Sequence, residues 1–316
     1  MKAQTWRSTG REPYVFRADK PGDLLGVHPD LMQKALRRDE GLLYLLYSPI
    51  WPGKNGPFGL YATPASHAVA VTKYRFIISE DRHMEGMAPT VQSIPFGQIL
   101  YTQLGIALSL GWFSVEFVVD EKPSCRTLFF TATGMKHFDA AVRKYRRMTG
   151  PAYDHLPVNA MDWADIWQNT PRTEVDHLKP LILKEELPFN MLPSSELWVL
   201  RKRRWKSIPV CLSTNGILLS TNFGFIHATE ERPIRPNIFS FGVNVSWIAF
   251  YAVKSAQILE KRMCGNHLCV LRLEIARGRV TVDFDVPFDG GSLKEAEELV
   301  RFLARDRRLE KEECIS

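Results

Sequence analysis

Hydrophobic residues follow two different periodicities along this chain, and the two alternate in blocks. Apolar residues occupy every second position at 113–119, 271–275 and 280–286, which is typical of half-buried β-strands. Apolar residues at helical spacing follow Thr133 and Ser292, two residues that suit a helix N-cap. The pattern therefore predicts a fold that is mainly β with α, in which each group of strands is followed by one amphipathic helix.

The order of these blocks repeats. An Ile-x-Phe segment at 94–96 is followed by alternating strands and a capped helix, and the segment at 248–250 is followed by the same sequence of elements. Repetition of this kind indicates an internal duplication. The predicted organisation is an N-terminal arm with a short helix (1–40), a first domain (41–150), a linker (151–190), a second domain (191–310) and a tail (311–316).

Local signals add four expectations. Residues 1–27 are rich in turn formers and are expected to be a loosely held arm, and Pro29 opens the short helix that follows. The linker is expected to carry one short helix at 161–168. Asn215-Gly216 predicts a hairpin turn that joins strands at 208–212 and 217–220.

The run AVAVTKYRFIIS at 68–79, the two Ile-x-Phe segments and the two closing helices resemble the pleckstrin-homology superfold, particularly its bacterial and GRAM-type members. The resemblance implies two tandem domains, each a bent sheet or partly open barrel closed by a C-terminal amphipathic helix. Eukaryotic members usually carry a tryptophan in that helix, where this chain offers Phe138 or Tyr145, and Phe302. Members bind phosphoinositides, peptides or proteins, so the fold does not choose among ligands.

Composition and targeting signals point to an ordinary globular protein. Of the 316 residues, 45% are hydrophobic and 24% are charged, which argues against disorder. The sequence shows neither a run of eighteen apolar residues nor a secretory signal. The five cysteines are irregularly spaced, as expected of reduced thiols. We expect a soluble cytoplasmic protein, with peripheral attachment to the inner membrane surface as an alternative.

The strongest local cluster is basic. Lys202, Arg203, Arg204 and Lys206 are candidate residues for binding an anionic ligand, because fanned cations can converge on one phosphate group. Trp205 is a candidate membrane or partner contact, since indole rings favour the boundary between polar and apolar surroundings. The alternative is a solvated strand edge that resists aggregation.

Other clusters have a plain structural interpretation beside a functional one. The basic residues of the first closing helix are expected on its solvated side, although nucleic-acid binding is the sharper alternative. The six aromatic residues between 223 and 250 are expected in the core, with a partner-docking patch as the alternative. The basic residues are Lys136, Arg143, Lys144, Arg146 and Arg147; the aromatic residues are Phe223, Phe225, Phe239, Phe241, Trp247 and Phe250.

Candidate catalytic and metal chemistry is sparse. Cys264, His267 and Cys269 offer three zinc ligands where a structural site needs four, so a turn with buried thiols is expected. Asp283 and Asp285 are expected on the polar face of a strand rather than as an acid–base pair. The sequence contains none of the common nucleophile, phosphate-loop, zinc-protease or dinucleotide motifs. We therefore predict no catalytic residues, no cofactor and no metal site.

These observations predict a non-catalytic binding or adaptor protein that uses duplicated modules. The expected partner is another protein or a second copy of the chain. The alternative is peripheral membrane recruitment, in which basic loops bind anionic lipid head groups. Nucleic acid is not an expected partner, because the net charge of +6 does not form a dense basic stripe.

Overall fold

The computed structural model describes eleven segments of the chain. They are residues 14–49, 65–82, 87–107, 109–150, 161–170, 172–194, 196–203, 206–230, 242–263, 266–288 and 290–313; within them, the side chains of residues 172–174, 197–210, 212–213, 261–267 and 305–313 lie outside the description. The described chain divides into two compact units: residues 14–99, 104–117 and 125–150 form the first, and residues 100–103, 118–124 and 161–313 form the second.

The first unit contains a five-stranded antiparallel sheet in the order β1-β2-β3-β4-β5. Successive side chains of each strand point to opposite faces of the sheet. Both faces are buried at β3 and β4, so most residues of these two strands are buried. The elements are β1 (Phe16–Arg17), α1 (His28–Ala35), β2 (Leu42–Ser48), β3 (Ser66–Thr72), β4 (Arg75–Asp81), β5 (Thr90–Pro95) and a 3-10 turn (Phe96–Gln98).

Helix α1 covers one face of this sheet. Met32 packs with Leu45, Ala70 and Ile77 in one hydrophobic cluster, which confirms the predicted short helix. The cluster also includes Ala18 and Leu24, both from the segment expected to be a loose arm. That expectation is wrong for residues 15–24, because Val15, Ala18 and Leu24 are buried and β1 pairs with β2.

Three further strands follow, in the order β8-β7-β6, and helix α2 ends this part of the chain. Phe138 of α2 stacks on Phe130 with ring centroids 3.9 Å apart, and Tyr145 lies 4.8 Å from Phe96. These rings form the core beneath the helix. The elements are β6 (Ile99–Ala107), β7 (Leu110–Val119), β8 (Lys122–Thr131), a 3-10 turn (Ala132–Gly134) and α2 (Met135–Thr149).

Two predictions for α2 are wrong. Thr133 does not cap the helix, because the intervening 3-10 turn makes Gly134 the N-cap. Arg146 is not on the solvated side: it is 1% exposed and belongs to the buried face with Tyr145.

The second unit also ends in a 3-10 turn, three strands and a helix. Four strands in the order β9-β12-β13-β14 lead through a 3-10 turn to the three-stranded antiparallel sheet β15-β16-β17 and then to α5. The elements are α3 (Trp163–Asn169), α4 (Arg172–Leu178), β9 (Pro188–Ser194), β10 (Leu197–Arg203), β11 (Lys206–Ser213), β12 (Gly216–Thr221), β13 (Gly224–Glu230), β14 (Gly242–Ala249), 3-10 (Phe250–Ala252), β15 (Val253–Met263), β16 (Asn266–Arg277), β17 (Val280–Phe288), 3-10 (Gly290–Ser292) and α5 (Leu293–Glu313).

The predicted hairpin at 208–212 and 217–220 is wrong in its pairing. β11 pairs with β10, starting from the register partners Arg203 and Lys206, whereas β12 pairs with β9 and β13. The strands predicted at 271–275 and 280–286 are confirmed as parts of β16 and β17, which pair as a hairpin with Arg277 opposite Val280. The predicted linker helix is confirmed as α3, and α4, which was not predicted, packs against β13 and β14.

The predicted mainly-β class with a C-terminal helix is confirmed. In the described segments none of the sheets closes into a barrel, since each strand order has two different end strands. Among the described helices, none has both the length and the apolar composition needed to cross a bilayer.

Candidate interaction surfaces

Strands β10 and β11 form a two-stranded ribbon that pairs with no other described strand. The backbone of the basic cluster lies at its tip, where Lys202 is opposite Ser207 and Arg203 is opposite Lys206. Strand β10 therefore extends through the basic residues as far as Arg203. Arg204 and Trp205 lie outside the described residues, as do the side chains of Lys202, Arg203 and Lys206.

Strand β5 is the last strand of the five-stranded sheet, so one of its edges faces no described strand. Its chain segment, residues 87–96, contains no charged residue. Two apolar side chains of the segment are unusually exposed, Met87 at 55% and Val91 at 44%. An exposed strand edge without charges can accept a further strand from another chain.

A row of polar residues crosses the first sheet where β2 and β4 end and β3 begins. Ser48 is opposite His67, and His67 is opposite Glu80, so all three lie on the same face. They are buried, and Glu80 forms ion pairs with Arg82 and Arg126. This polar row (Ser48, His67, Glu80, Arg82 and Arg126) was not predicted from the sequence.

Burial keeps the imidazole of the polar row uncharged. It lowers the pKa of His67 to about 3, and the guanidinium of Arg126 acts in the same direction. The 4.0 Å approach of His67 Nε2 to Glu80 Oε2 is therefore not an ion pair at neutral pH. Three buried polar atoms of the row, Ser48 Oγ, His67 Nδ1 and Arg126 Nε, have no hydrogen-bond partner within the described segments. The row thus has unused hydrogen-bonding capacity at one end of the sheet.

His28 of α1 lies between two serine hydroxyls of the sheet. Its Nδ1 is 2.7 Å from Ser79 Oγ, and its Nε2 is 2.9 Å from Ser66 Oγ. A serine beside a histidine is the geometry of an activated nucleophile. Here, however, His28 and Ser79 are both fully buried, so a substrate has no access to the pair. The two contacts instead fasten α1 to β3 and β4.

The paired aspartates of β17 lie on an exposed strand face, as predicted. Arg272 of β16 lies between them, with Nη1 2.7 Å from Asp283 Oδ2 and Nε 2.8 Å from Asp285 Oδ1. The two carboxylates therefore share one guanidinium on the polar face of the strand. The metal candidate is untested, because Cys264 and the side chain of His267 lie outside the described residues.

The aromatic group of the second unit forms core. Phe223, Phe225, Trp247 and Phe250 are all buried, which confirms the core interpretation for these four. Phe239 and Phe241 lie outside the described residues. The alternative prediction of a partner-docking patch is therefore wrong for these four residues.

Comparison with models of known protein families and with curated proteins finds no match for this chain.

Proposed function

We propose that this chain is a non-catalytic interaction protein built from two modules of the pleckstrin-homology type, and that it binds a protein partner. Support for the two modules comes from a shared order of elements, in which antiparallel strands lead through a 3-10 turn into three further strands and then a helix. The ring contacts also repeat. Phe96 of the first 3-10 turn lies 4.8 Å from Tyr145 of α2, and Phe250 of the second lies 5.8 Å from Phe302 of α5.

The non-catalytic assignment is supported by the two constellations that most resemble active sites. The His28–Ser79 pair is fully buried, and the carboxylates of Asp283 and Asp285 are both bound by Arg272. Each therefore has a structural role that accounts for its residues.

The observation that carries protein binding is the exposed, uncharged edge of β5. Backbone donors and acceptors along such an edge supply affinity, while the alternating side chains supply specificity. Gln92, near the middle of β5, is half-buried and lies opposite Ile78, on the same strand face as Ile94.

Affinity capture of the tagged full chain from cells tests this function. The variants are Gln92→Lys, which adds a charge to the β5 edge, and Thr281→Lys, which adds the same charge to exposed β17. We expect at least one protein to be retained by the wild type and by Thr281→Lys but lost from Gln92→Lys. Retention of no protein above the tag alone, or equal retention by both variants, would contradict the proposal.

A second candidate function is recruitment to an anionic membrane surface. The observation that favours it is the β10–β11 ribbon, whose basic tip lies at the end of a two-stranded element that pairs with no other described strand. Each basic residue near an anionic bilayer contributes about 1 kcal/mol, an attraction that falls within a Debye length.

Vesicle flotation tests this second candidate with vesicles of neutral lipid alone or with added phosphoinositide, at low and physiological salt. The variant removes three charges from the ribbon by Lys202→Ala, Arg203→Ala and Lys206→Ala. Its matched control removes three from α2 by Lys136→Ala, Lys144→Ala and Arg147→Ala. We expect salt-sensitive flotation with the anionic vesicles that only the ribbon variant loses. Equal loss of flotation in both variants would mean that net charge, and not the ribbon, causes the binding to anionic vesicles.

A further inference from the structure

Strand β14 lies between β13 and β6 in the strand order, so β6 extends the sheet at the edge of β14 that does not pair with β13. Within the second unit, residues Leu100–Gln103 of β6 lie next to β14 in the strand order. Gln103 Nε2 donates a hydrogen bond to Ser246 Oγ of β14 at 3.2 Å. β14 thus has a neighbouring strand on each side.

The repeated order of elements gives each of these strands a counterpart. β5 and β14 each lead into a 3-10 turn that begins with a phenylalanine, Phe96 or Phe250, and β6 and β15 each follow that turn. Counted from its phenylalanine, Gln257 of β15 occupies the place of Gln103. By the same count, Gln92 of β5 occupies the place of Ser246.

Both counterpart strands end their sheets. β5 is the last strand of one order and β15 the first strand of another, and neither has a second neighbour among the described strands. The prolines of the β5 segment, at 89 and 95, lie only at its ends, so its central residues keep their N–H donors.

The middle of β15 matches the β5 edge in being uncharged. Residues 255–259 carry no charge, and Gln257 is exposed. Lys254, just before this stretch, is held by Glu274 at 2.9 Å. Glu260, Lys261 and Arg262 follow this stretch, so β15 lacks the charged side chains that usually keep strand edges apart only over residues 255–259.

We infer that the chain assembles with copies of itself by placing β15 of one copy against β5 of the next. This inference rests on the proposed protein-binding function and names the partner as a second copy. Gln257 of one copy meets Gln92 of the next, and two amides can exchange hydrogen bonds as Gln103 and Ser246 do. The contact joins two different surfaces, so each added copy leaves one further edge and the assembly grows into a ring or an open filament.

Sedimentation velocity of the purified full chain at increasing concentration tests the inference. Gln92→Lys blocks the β5 edge and Gln257→Lys blocks the β15 edge, both at side chains that are not buried. We expect the wild type and the Thr281→Lys control to form larger species as concentration rises. Each blocked variant alone is expected to remain a monomer. An equimolar mixture of the two is expected to form dimers and nothing larger, because each variant keeps one complementary edge.

Three results would overturn the inference: a wild type that stays monomeric, blocked variants that still assemble, or a mixture that stays monomeric or grows beyond dimers. Circular dichroism and thermal unfolding of each variant establish that it is folded. The outcome is separable from the proposed function. If the wild type is monomeric but another protein is still captured in a manner sensitive to Gln92→Lys, self-assembly fails and protein binding stands.

Discussion

The hydroxyl of Thr72 donates a hydrogen bond to Glu40 Oε1 at 2.7 Å, and the second unit repeats this contact between Thr221 and Glu186 at 2.6 Å. In both units the threonine ends a strand, and its hydroxyl lies 3.1 Å from the carbonyl oxygen three residues further on. It also accepts a hydrogen bond at 3.2 Å from the backbone N–H two residues further on. The same turn is therefore fastened to the preceding segment by the same side-chain chemistry, which supports a duplication at the level of individual bonds.

Glu40 and Glu186 accept further hydrogen bonds from different donors. Removal of the threonine hydroxyl is therefore expected to lower the free energy of unfolding by different amounts at the two turns. Glu40 also binds Arg75, at 2.8 and 2.6 Å, whereas Glu186 Oε2 accepts from the backbone N–H of Leu183 at 3.0 Å. A buried carboxylate that loses a donor costs about 1–3 kcal/mol. We expect Thr221→Val to fall at the upper end of that range and Thr72→Val at the lower end, measured by urea unfolding.

Serine provides the matched control for those substitutions. Thr72→Ser and Thr221→Ser keep the hydroxyl and are expected to lose less stability than the valine variants. If serine and valine cost the same at either turn, the methyl group rather than the hydrogen bond stabilises that turn.

The Glu40–Arg75 pair predicts a loss of stability in acid. The hydrogen bond from Arg75 is the main reason that the pKa of Glu40 falls from 4.5 to about 2, against an opposing effect of burial. A carboxylate with a lowered pKa in the folded state stabilises it above the unfolded pKa, and this contribution is lost as pH falls toward 2. We expect Glu40→Gln to cost about 2 kcal/mol at neutral pH and almost nothing near pH 2. Parallel stability curves for wild type and variant would contradict this.

His67 predicts a second acid-sensitive contribution, in a higher pH window. Its pKa is about 3 in the folded state because of burial, below the ordinary value of 6.5. Between these values the unfolded chain binds more protons, so folding stability falls as pH drops from 6.5 toward 3. His67→Gln is expected to reduce that slope by up to about 1.4 kcal/mol per pH unit, measured by denaturant unfolding at several pH values. An unchanged slope would mean that His67 does not contribute to acid unfolding.

The sequence was informative where a segment's own pattern decides its structure. The hairpin of β16 and β17 and the apolar face of α2 follow from local periodicity, and both are confirmed. The partner of β11 was not predictable, because β10 and β12 both lie close to it in the chain. The polar row was missed for a similar reason: Ser48, His67 and Glu80 come from three strands and meet only through register. Local composition predicts elements, whereas pairing between elements depends on which buried faces the whole chain can fill.

Asp139 predicts a loss of stability in the opposite direction, on raising the pH. This α2 residue is 8% exposed and its Oδ1 has no hydrogen-bond partner among the described residues, so burial raises its pKa from 3.8 to about 7, although Arg143 opposes the shift. Between pH 3.8 and 7 the folded state binds more protons than the unfolded chain, so stability falls across that window as pH rises. An amide side chain cannot ionise, and we therefore expect Asp139→Asn to gain on the order of 3 kcal/mol relative to wild type between pH 4 and pH 8.

Asp139→Asn also removes one negative charge from the protein, and a control variant is needed for that general effect. Asp30→Asn removes a carboxylate from an exposed position in α1, and its effect is subtracted from that of Asp139→Asn at each pH. Measuring the change with pH, rather than the stability at one pH, separates ionisation from any cost of placing an amide in the buried site. If the corrected difference between Asp139→Asn and wild type is the same at pH 4 and pH 8, Asp139 does not titrate in that window and the expected effect of burial is wrong.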